Sequence, residues 1–387
     1  MTTSTNSKPL PHASTQATAV PLQNQTKIEE LESIRGMAAL LIVFFHFPKW
    51  NPLFDIGIIN NGYLMVELFF VLSGYVIFSA YGEKLYSTKD LLRFQFLRFG
   101  RLYFVHLTFL MIFLAIEISK YIASTKMGGP SIRTVPFSEN SLTAFVQQIF
   151  LAQALGPTGN ALSFNGQAWS ISVEFYTYLL FALIIFLCRK VKFQVFSALI
   201  VMSLLLLATK STYGFEGVLK CLAGFFIGCV TAHLTKKSTL ALPSYFSAII
   251  FAAIALFLQF KPFQKFDIAI YFLTAALIAS IVLAPKGLLN TVLKQRVLVW
   301  LGVISYSVYM SHSFVLWVTA NVFKRVFKRP EVRALDGSWV LSLSALEAVA
   351  ALAFTLVLVL AISQLTYRFI EQPTRAKSRR FAFARFN

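Results

Sequence analysis

The sequence predicts an all-α membrane protein of about ten transmembrane helices with both termini cytoplasmic. Three observations carry that expectation. Fifty-seven per cent of the 387 residues are apolar, only 13% are charged, and the mean hydropathy is +0.68, which excludes an ordinary soluble domain. Apolar runs able to cross a bilayer recur along the chain, and basic bursts follow alternate runs. Forty Phe and 14 Tyr suit helices that face lipid and pack on one another. The net charge of +19 is spread among the bursts, so it reads as a topology signal and not as a nucleic-acid surface.

Residues 1–27, rich in Ser, Thr, Gln and Pro, read as a disordered cytoplasmic tail. Acidic Glu29, Glu30 and Glu32 precede the first apolar run, so no cleavable signal peptide is expected. Runs at roughly 34–50, 62–82, 102–122, 169–188, 193–209, 215–234, 242–260, 267–284, 297–323 and 340–367 give the ten helices. Lys84, Lys89, Arg93, Arg98 and Arg101 follow the second run, Arg189, Lys190 and Lys192 the fourth, and Lys236 and Lys237 the sixth. Lys286, Lys294 and Arg296 follow the eighth, and all of these share one face, which is therefore the cytoplasmic one. The membrane domain is expected over 28–370, followed by a basic cytoplasmic tail at 371–387 with Arg375, Lys377, Arg379, Arg380 and Arg385.

One loop disobeys this pattern. Lys324, Arg325, Lys328, Arg329 and Arg333 fall on the outer face, where they suit an anionic partner unless the rule is overruled locally or a helix is miscounted. The longest connection, 123–168, contains an apolar stretch at 142–155 expected to lie as a short helix at the outer surface. Gly74, Gly224 and Gly228 read as close-packing points. Cys188, Cys221 and Cys229 have no metal-site spacing and read as small buried apolar groups.

Ionisable residues inside such runs are costly and read as functional. Arg35 and His46 lie eleven positions apart in the first run, a rise of roughly 16 Å that joins a cation at one membrane face to an imidazole deep inside. The topology places His46, Glu67, Glu174 and His312 in one outer stratum, a set able to supply a base, a partner that orients it and an acid. Arg35, Arg98 and Arg101 occupy the opposite stratum, Arg98 and Arg101 at i and i+3 on one helical face. Guanidinium forks suit phosphate, and the gap between the strata matches the reach of an extended pantetheine arm. Each group also has a plainer role open to it, as a topology flank for the arginines or an interhelical hydrogen bonder for the histidines.

Five stretches together resemble the acyltransferase-3 family, integral-membrane O-acyltransferases of bacterial surface glycans. Leu31-Glu32-Ser33-Ile34-Arg35-Gly36-Met37-Ala38-Ala39-Leu40 leading to His46 is similar to the family's Arg-x10-His signature. Val66-Glu67-Leu68-Phe69-Phe70-Val71-Leu72-Ser73-Gly74-Tyr75 resembles its second-helix block, and Arg98-Phe99-Gly100-Arg101-Leu102-Tyr103 its arginine pair. Trp169 to Tyr176 and Leu301 to His312 complete the series, in order along nearly the whole helical region. Phe104 stands where the family commonly has Pro, and Glu67 where Asp is frequent. The resemblance implies an acyl-CoA donor, a histidine at the catalytic centre and an arginine pair in the donor site, which fall on His46, Arg35, Arg98 and Arg101.

The expected function is therefore transfer of an acyl group, acetyl above all, from acyl-CoA to a hydroxyl of a saccharide or glycolipid. His46, held by Glu67 or Glu174, is expected to take the hydroxyl proton, and Trp169, Tyr306 and His312 to line the acceptor's route. No permanently bound cofactor, metal or nucleic acid is expected, no esterase-like domain beyond the last helix, and the place is the cell inner (plasma) membrane. A transporter or flippase for glycan intermediates or acyl groups is the alternative; it predicts inverted repeats, which the sequence does not display. A scaffold for a polysaccharide synthase is the non-catalytic reading.

Overall fold

The computed structural model describes residues 28–126, 135–284, 287–333 and 339–386. The tail expected at 1–27 lies outside them. Fifteen helices follow in order: α1 (Glu29–His46), α2 (Gly57–Asn60), α3 (Met65–Tyr81), α4 (Thr88–Lys126) and α5 (Leu142–Ile149). Next come α6 (Trp169–Leu187), α7 (Lys192–Ala208), α8 (Glu216–Lys237), α9 (Phe246–Phe260) and α10 (Ala269–Leu283). The last are α11 (Leu288–Leu293), α12 (Arg296–Val303), α13 (Ser305–Asn321), α14 (Ala345–Thr366) and α15 (Gln372–Arg385). Between α13 and α14, β1 (Glu331–Arg333) and β2 (Trp339–Leu341) pair antiparallel.

Among the described residues, five stretches are long and apolar enough to cross a bilayer: Gly62–Tyr81, Thr88–Thr125, Gly166–Leu187, Glu216–Lys237 and Ala345–Arg385. Helices α12 and α13 make a sixth span if they are counted together across their 69° bend. The other apolar runs fall short of this for a physical reason. Helices α9 and α10 have 15 residues each, a rise of roughly 22 Å against a hydrocarbon core of about 30 Å.

Helices α3 and α8 form the centre. Gly74 on α3 and Gly228 on α8 let the backbones touch, since a Cβ on Gly74 would run into the Phe225 carbonyl and one on Gly228 into that of Val71. Gly302 does the same for α12 against the Glu32 backbone of α1. Hydroxyls knit the rest: Ser311 to Ser363 at 3.0 Å and Thr355 to Thr319 at 3.2 Å hold α14 on α13. Ser344 starts α14 with a capping box closed by Glu347, and Ser141 caps α5, the short helix expected in the long connection.

One region differs from the sequence reading and another adds to it. The basic burst after the second run, from Lys89 on, does not precede a helix but lies inside one. Helix α4 runs for 39 residues, roughly 58 Å, so Arg93, Arg98 and Arg101 sit on its flank. The basic segment after α14 is helical over Gln372–Arg385. Its α15 lies along α4, where Gly100 leaves room for Ser378, Phe381 packs 5.1 Å from Phe96, and Arg93 Nη2 donates to the Phe386 carbonyl at 2.6 Å. On the basic loop, Lys324 pairs with Glu331 at 2.7 Å and Arg329 with Glu347, so two of its five cations are already neutralised within the chain.

Candidate functional site

His46 is the last residue of α1, and the bend between α12 and α13 brings His312 beside it, with ring centroids 5.1 Å apart. The expectation that these two histidines share a level is met. Neither expected acid orients His46. Its Nδ1 lies 2.9 Å from the Ile42 carbonyl, one turn back on its own helix. A carbonyl only accepts, so Nδ1 carries the proton and Nε2 is left with a lone pair. His312 repeats the arrangement, with Nδ1 3.3 Å from the Val308 carbonyl and a buried Nε2 that has no partner among the described residues. The two imidazoles thus both turn Nδ1 to a backbone carbonyl of their own helix and stand side by side, His312 buried and His46 part-buried.

Glu174 belongs to a different place. It lies five residues inside α6, and no contact joins it to His46 among the described residues. Glu174 Oε1 accepts from Ser73 Oγ at 2.6 Å and from Tyr178 at 2.5 Å. With them it lines a small cleft of about 70 Å³ that also contains Arg35, Arg101, Tyr306 and Tyr309. Arg35 contacts Glu32 at 3.5 Å across its own helical turn. Arg98 stands next to the cleft, its guanidinium 5.7 Å from the ring centres of Tyr81 and Phe94 and 5.9 Å from that of Tyr178. Two arginines, a carboxylate and three phenols thus share one small, partly open cleft inside the bundle.

Tyr309 connects the two places. It lines the cleft, its hydroxyl meets Ser170 at 2.7 Å, and its ring lies 5.9 Å from that of His312. Tyr306 is in the arginine cleft too and donates to the Leu102 carbonyl at 2.5 Å. Trp169 does not line this cleft, because its indole fills the space between Phe70 of α3 and Gly217 of α8.

Glu67 is likewise not with His46. It is 2% exposed and pairs with Lys220 of α8 at 3.4 Å, while Lys220 also holds Glu216 at 2.8 Å. The reason is the tight α3–α8 contact, which turns Glu67 toward α8 and away from α13. Close by, Lys261 binds Asp267 at 2.8 Å and Asn61 at 3.1 Å, and Tyr63 donates to both Asp267 oxygens at 2.9 Å. Sequence reasoning passed over Ser73, Tyr178 and this second network. Tyr178, at i+4 from Glu174, could have been found from helical spacing; Lys220, Lys261 and Asp267 meet only through long-range packing.

Residues 28–368 match the model of the acyltransferase-3 family, described as an acyltransferase domain. The chain is also 33% identical over 150 residues to "Protein 2 in picA locus" of Rhizobium radiobacter, an overlap covering 37% of this chain and 75% of that protein. No solved structure matches the chain.

Proposed function

The chain belongs to the acyltransferase-3 family, and on that premise we propose that it moves an acyl group, acetyl in the simplest case, from acyl-CoA to a hydroxyl of a saccharide or glycolipid. The observation that carries the mechanism is the His46 Nδ1 contact with the Ile42 carbonyl, which leaves Nε2 free as a general base. Arg35 and Arg101 offer guanidinium forks to the donor's phosphates at one end of α1, with Arg98 beside them. The thioester reaches up to His46, roughly 16 Å along the helix.

The step balances without a further reactant. Nε2 takes the acceptor's hydroxyl proton as that oxygen attacks the thioester carbonyl. The carbon–sulfur bond breaks, and the same proton passes to the departing thiolate, which leaves as free CoA. Glu174, held by Ser73 and Tyr178, lines the same cleft as Arg35 and Arg101 and fixes the wall opposite them. His312 is a second acceptor nitrogen next to the base and helps to seat the incoming hydroxyl. The proposed location is the cell inner (plasma) membrane, both termini cytoplasmic, with the arginines on the cytoplasmic side where acyl-CoA is made.

The test is mass spectrometry of host surface glycans in a deletion strain complemented with wild type or His46→Ala at equal abundance, together with CoA release from acetyl-CoA by the purified protein. Restoration of an O-acyl increment by wild type alone, with CoA release, supports the reading. Restoration by both proteins removes His46 as base. No CoA release and no change in glycans would favour a transporter.

A further inference from the structure

The transfer step leaves one buried ion pair unused, and that pair lies against the arginine cleft. Glu371 ends a π-helical turn, Tyr367–Glu371, that joins α14 to α15. A wide turn of this kind is rare within a helix and is frequent at functional sites. Glu371 is 2% exposed. Its Oε2 accepts from Ser307 Oγ of α13 at 2.8 Å, and its Oε1 accepts from Arg375 Nη1 of α15 at 3.2 Å. A carboxylate is costly to bury, and these two donors are what hold it there.

Two contacts fix where Arg375 stands. Glu371, Arg375 and Ser378 fall at i, i+4 and i+7, on one face of the helix that continues from the turn. At its start this face meets α13 through Ser307, whose neighbours Ser305 and Tyr306 line the arginine cleft. One turn beyond Arg375 it meets α4 at Gly100, where a Cβ would run into Ser378 Oγ, and the next residue, Arg101, lines the cleft. Arg375 lies between these anchors. Glu371 and Ser378 are buried, but the Arg375 side chain is 43% exposed, so its guanidinium emerges at the rim of the cleft. Arg101 is within electrostatic reach of both Glu371 and Arg375.

Size sorts the parts of the donor between these groups. A cleft of about 70 Å³ is far below the roughly 300–1,000 Å³ usual for a small-molecule site, so only a narrow chain enters it. The nucleotide end of CoA then stays at the rim. That end carries a pyrophosphate next to the pantetheine arm and a 3′-phosphate on the ribose, farther out. Arg35 and Arg101 line the cleft and are placed for the pyrophosphate, whereas Arg375 stands outside it, exposed, where the outer phosphate would lie. We propose, on the acyl-CoA reading of the donor, that Arg375 binds the 3′-phosphate and that α15 is thereby part of the donor site. Glu371 is the positioning residue. It takes one of the five guanidinium N–H donors and leaves the others to the ligand.

The experiment compares CoA with 3′-dephospho-CoA by isothermal titration calorimetry on the purified full chain, so no acyl transfer is needed. Wild type is expected to bind CoA about tenfold more tightly, as one charge-assisted contact would give. Arg375→Gln is expected to erase that preference. Glu371→Gln keeps an acceptor for Ser307 but loosens Arg375, and is expected to lower the preference to about threefold. A partly misfolded variant loses sites for both ligands alike, so the ratio of the two affinities still reports the contact. Equal affinities in wild type, or a preference that survives Arg375→Gln, would overturn the 3′-phosphate assignment and leave the donor reading standing. A full tenfold preference in Glu371→Gln would remove Glu371 as the positioning residue. A wild type that binds neither ligand sinks the acyl-CoA donor itself, and the role of α15 with it.

Discussion

Glu174 and Glu67 both project from apolar helices that flank the same core, yet their surroundings differ in kind. Glu174 is partly buried and receives two hydroxyl donors, with Arg35 and Arg101 lining the same cleft. Glu67 is more deeply buried, shares one lysine with Glu216, and keeps an oxygen unpaired at the edge of a much larger cleft. The first acid is satisfied by the protein and organises it; the second is left unfinished on one side. The difference teaches that residue type and approximate depth do not assign a role to a membrane carboxylate. The count of its hydrogen-bond donors does.

Substitutions can break or sharpen that contrast. The largest effect is expected for His46→Ala, which should lower acyl transfer about 10²–10⁴-fold when O-acyl content is measured at equal protein abundance. Neither Glu67→Gln nor Glu174→Gln should match it, since neither acid touches the imidazole. Equal losses in all three would merge the two acids into one catalytic unit. Next is Glu174→Leu. Ser73 and Tyr178 can still bond each other at 2.7 Å but lose their shared acceptor, leaving one buried donor unmet. That costs about 1–3 kcal/mol, read as a lower unfolding temperature, while Glu174→Gln keeps an acceptor and most of the stability.

A smaller effect separates the arginines. Arg101→Gln should raise the apparent KM for acyl-CoA about tenfold, because it removes a fork from the cleft. Arg98→Gln should change donor KM less, since its guanidinium is engaged by three aromatic rings. The reverse order would move the donor site out of the cleft.

The smallest effect lies at the Lys49–Asp55 contact of 2.6 Å, in the exposed turn after α1. Hydrogen bonds from Lys49 and Asn60 hold the Asp55 carboxyl below its usual range. A depressed carboxylate contributes stability above its unfolded pKa and loses it as pH falls through the folded value, so the contribution is constant from pH 5 to 8. Asp55→Asn should leave the unfolding temperature in that window almost unchanged, as exposed pairs contribute little.

Part of the site was legible because it is local. Arg35 and His46 share one helix, so an eleven-residue interval fixes their separation whatever else the chain does. The Arg98 and Arg101 pair was legible for the same reason, and α4 places both inside a continuous helix. The acids were not. Ordering Glu67, Glu174, His46 and His312 by depth treats helices as parallel posts, but partners are set by how each helix is rotated and how closely it is approached. Gly74 and Gly228 draw α8 onto α3 and give Glu67 a lysine, and the 69° break after α12 delivers His312 to His46.

The sequence by itself determined that this is a helical membrane protein of the acyltransferase-3 family, because hydropathy, charge placement and short motifs are carried by neighbouring residues. It also determined the reach from Arg35 to His46, since a helix has a fixed rise. Only the tertiary structure decided that His312 comes beside His46, that Glu174 sits with the arginines, that α15 closes along α4, and that a large cleft opens beside Phe45. Those are contacts between residues tens to hundreds of positions apart. They follow from close packing at a few glycines and one helix bend, which no local pattern encodes.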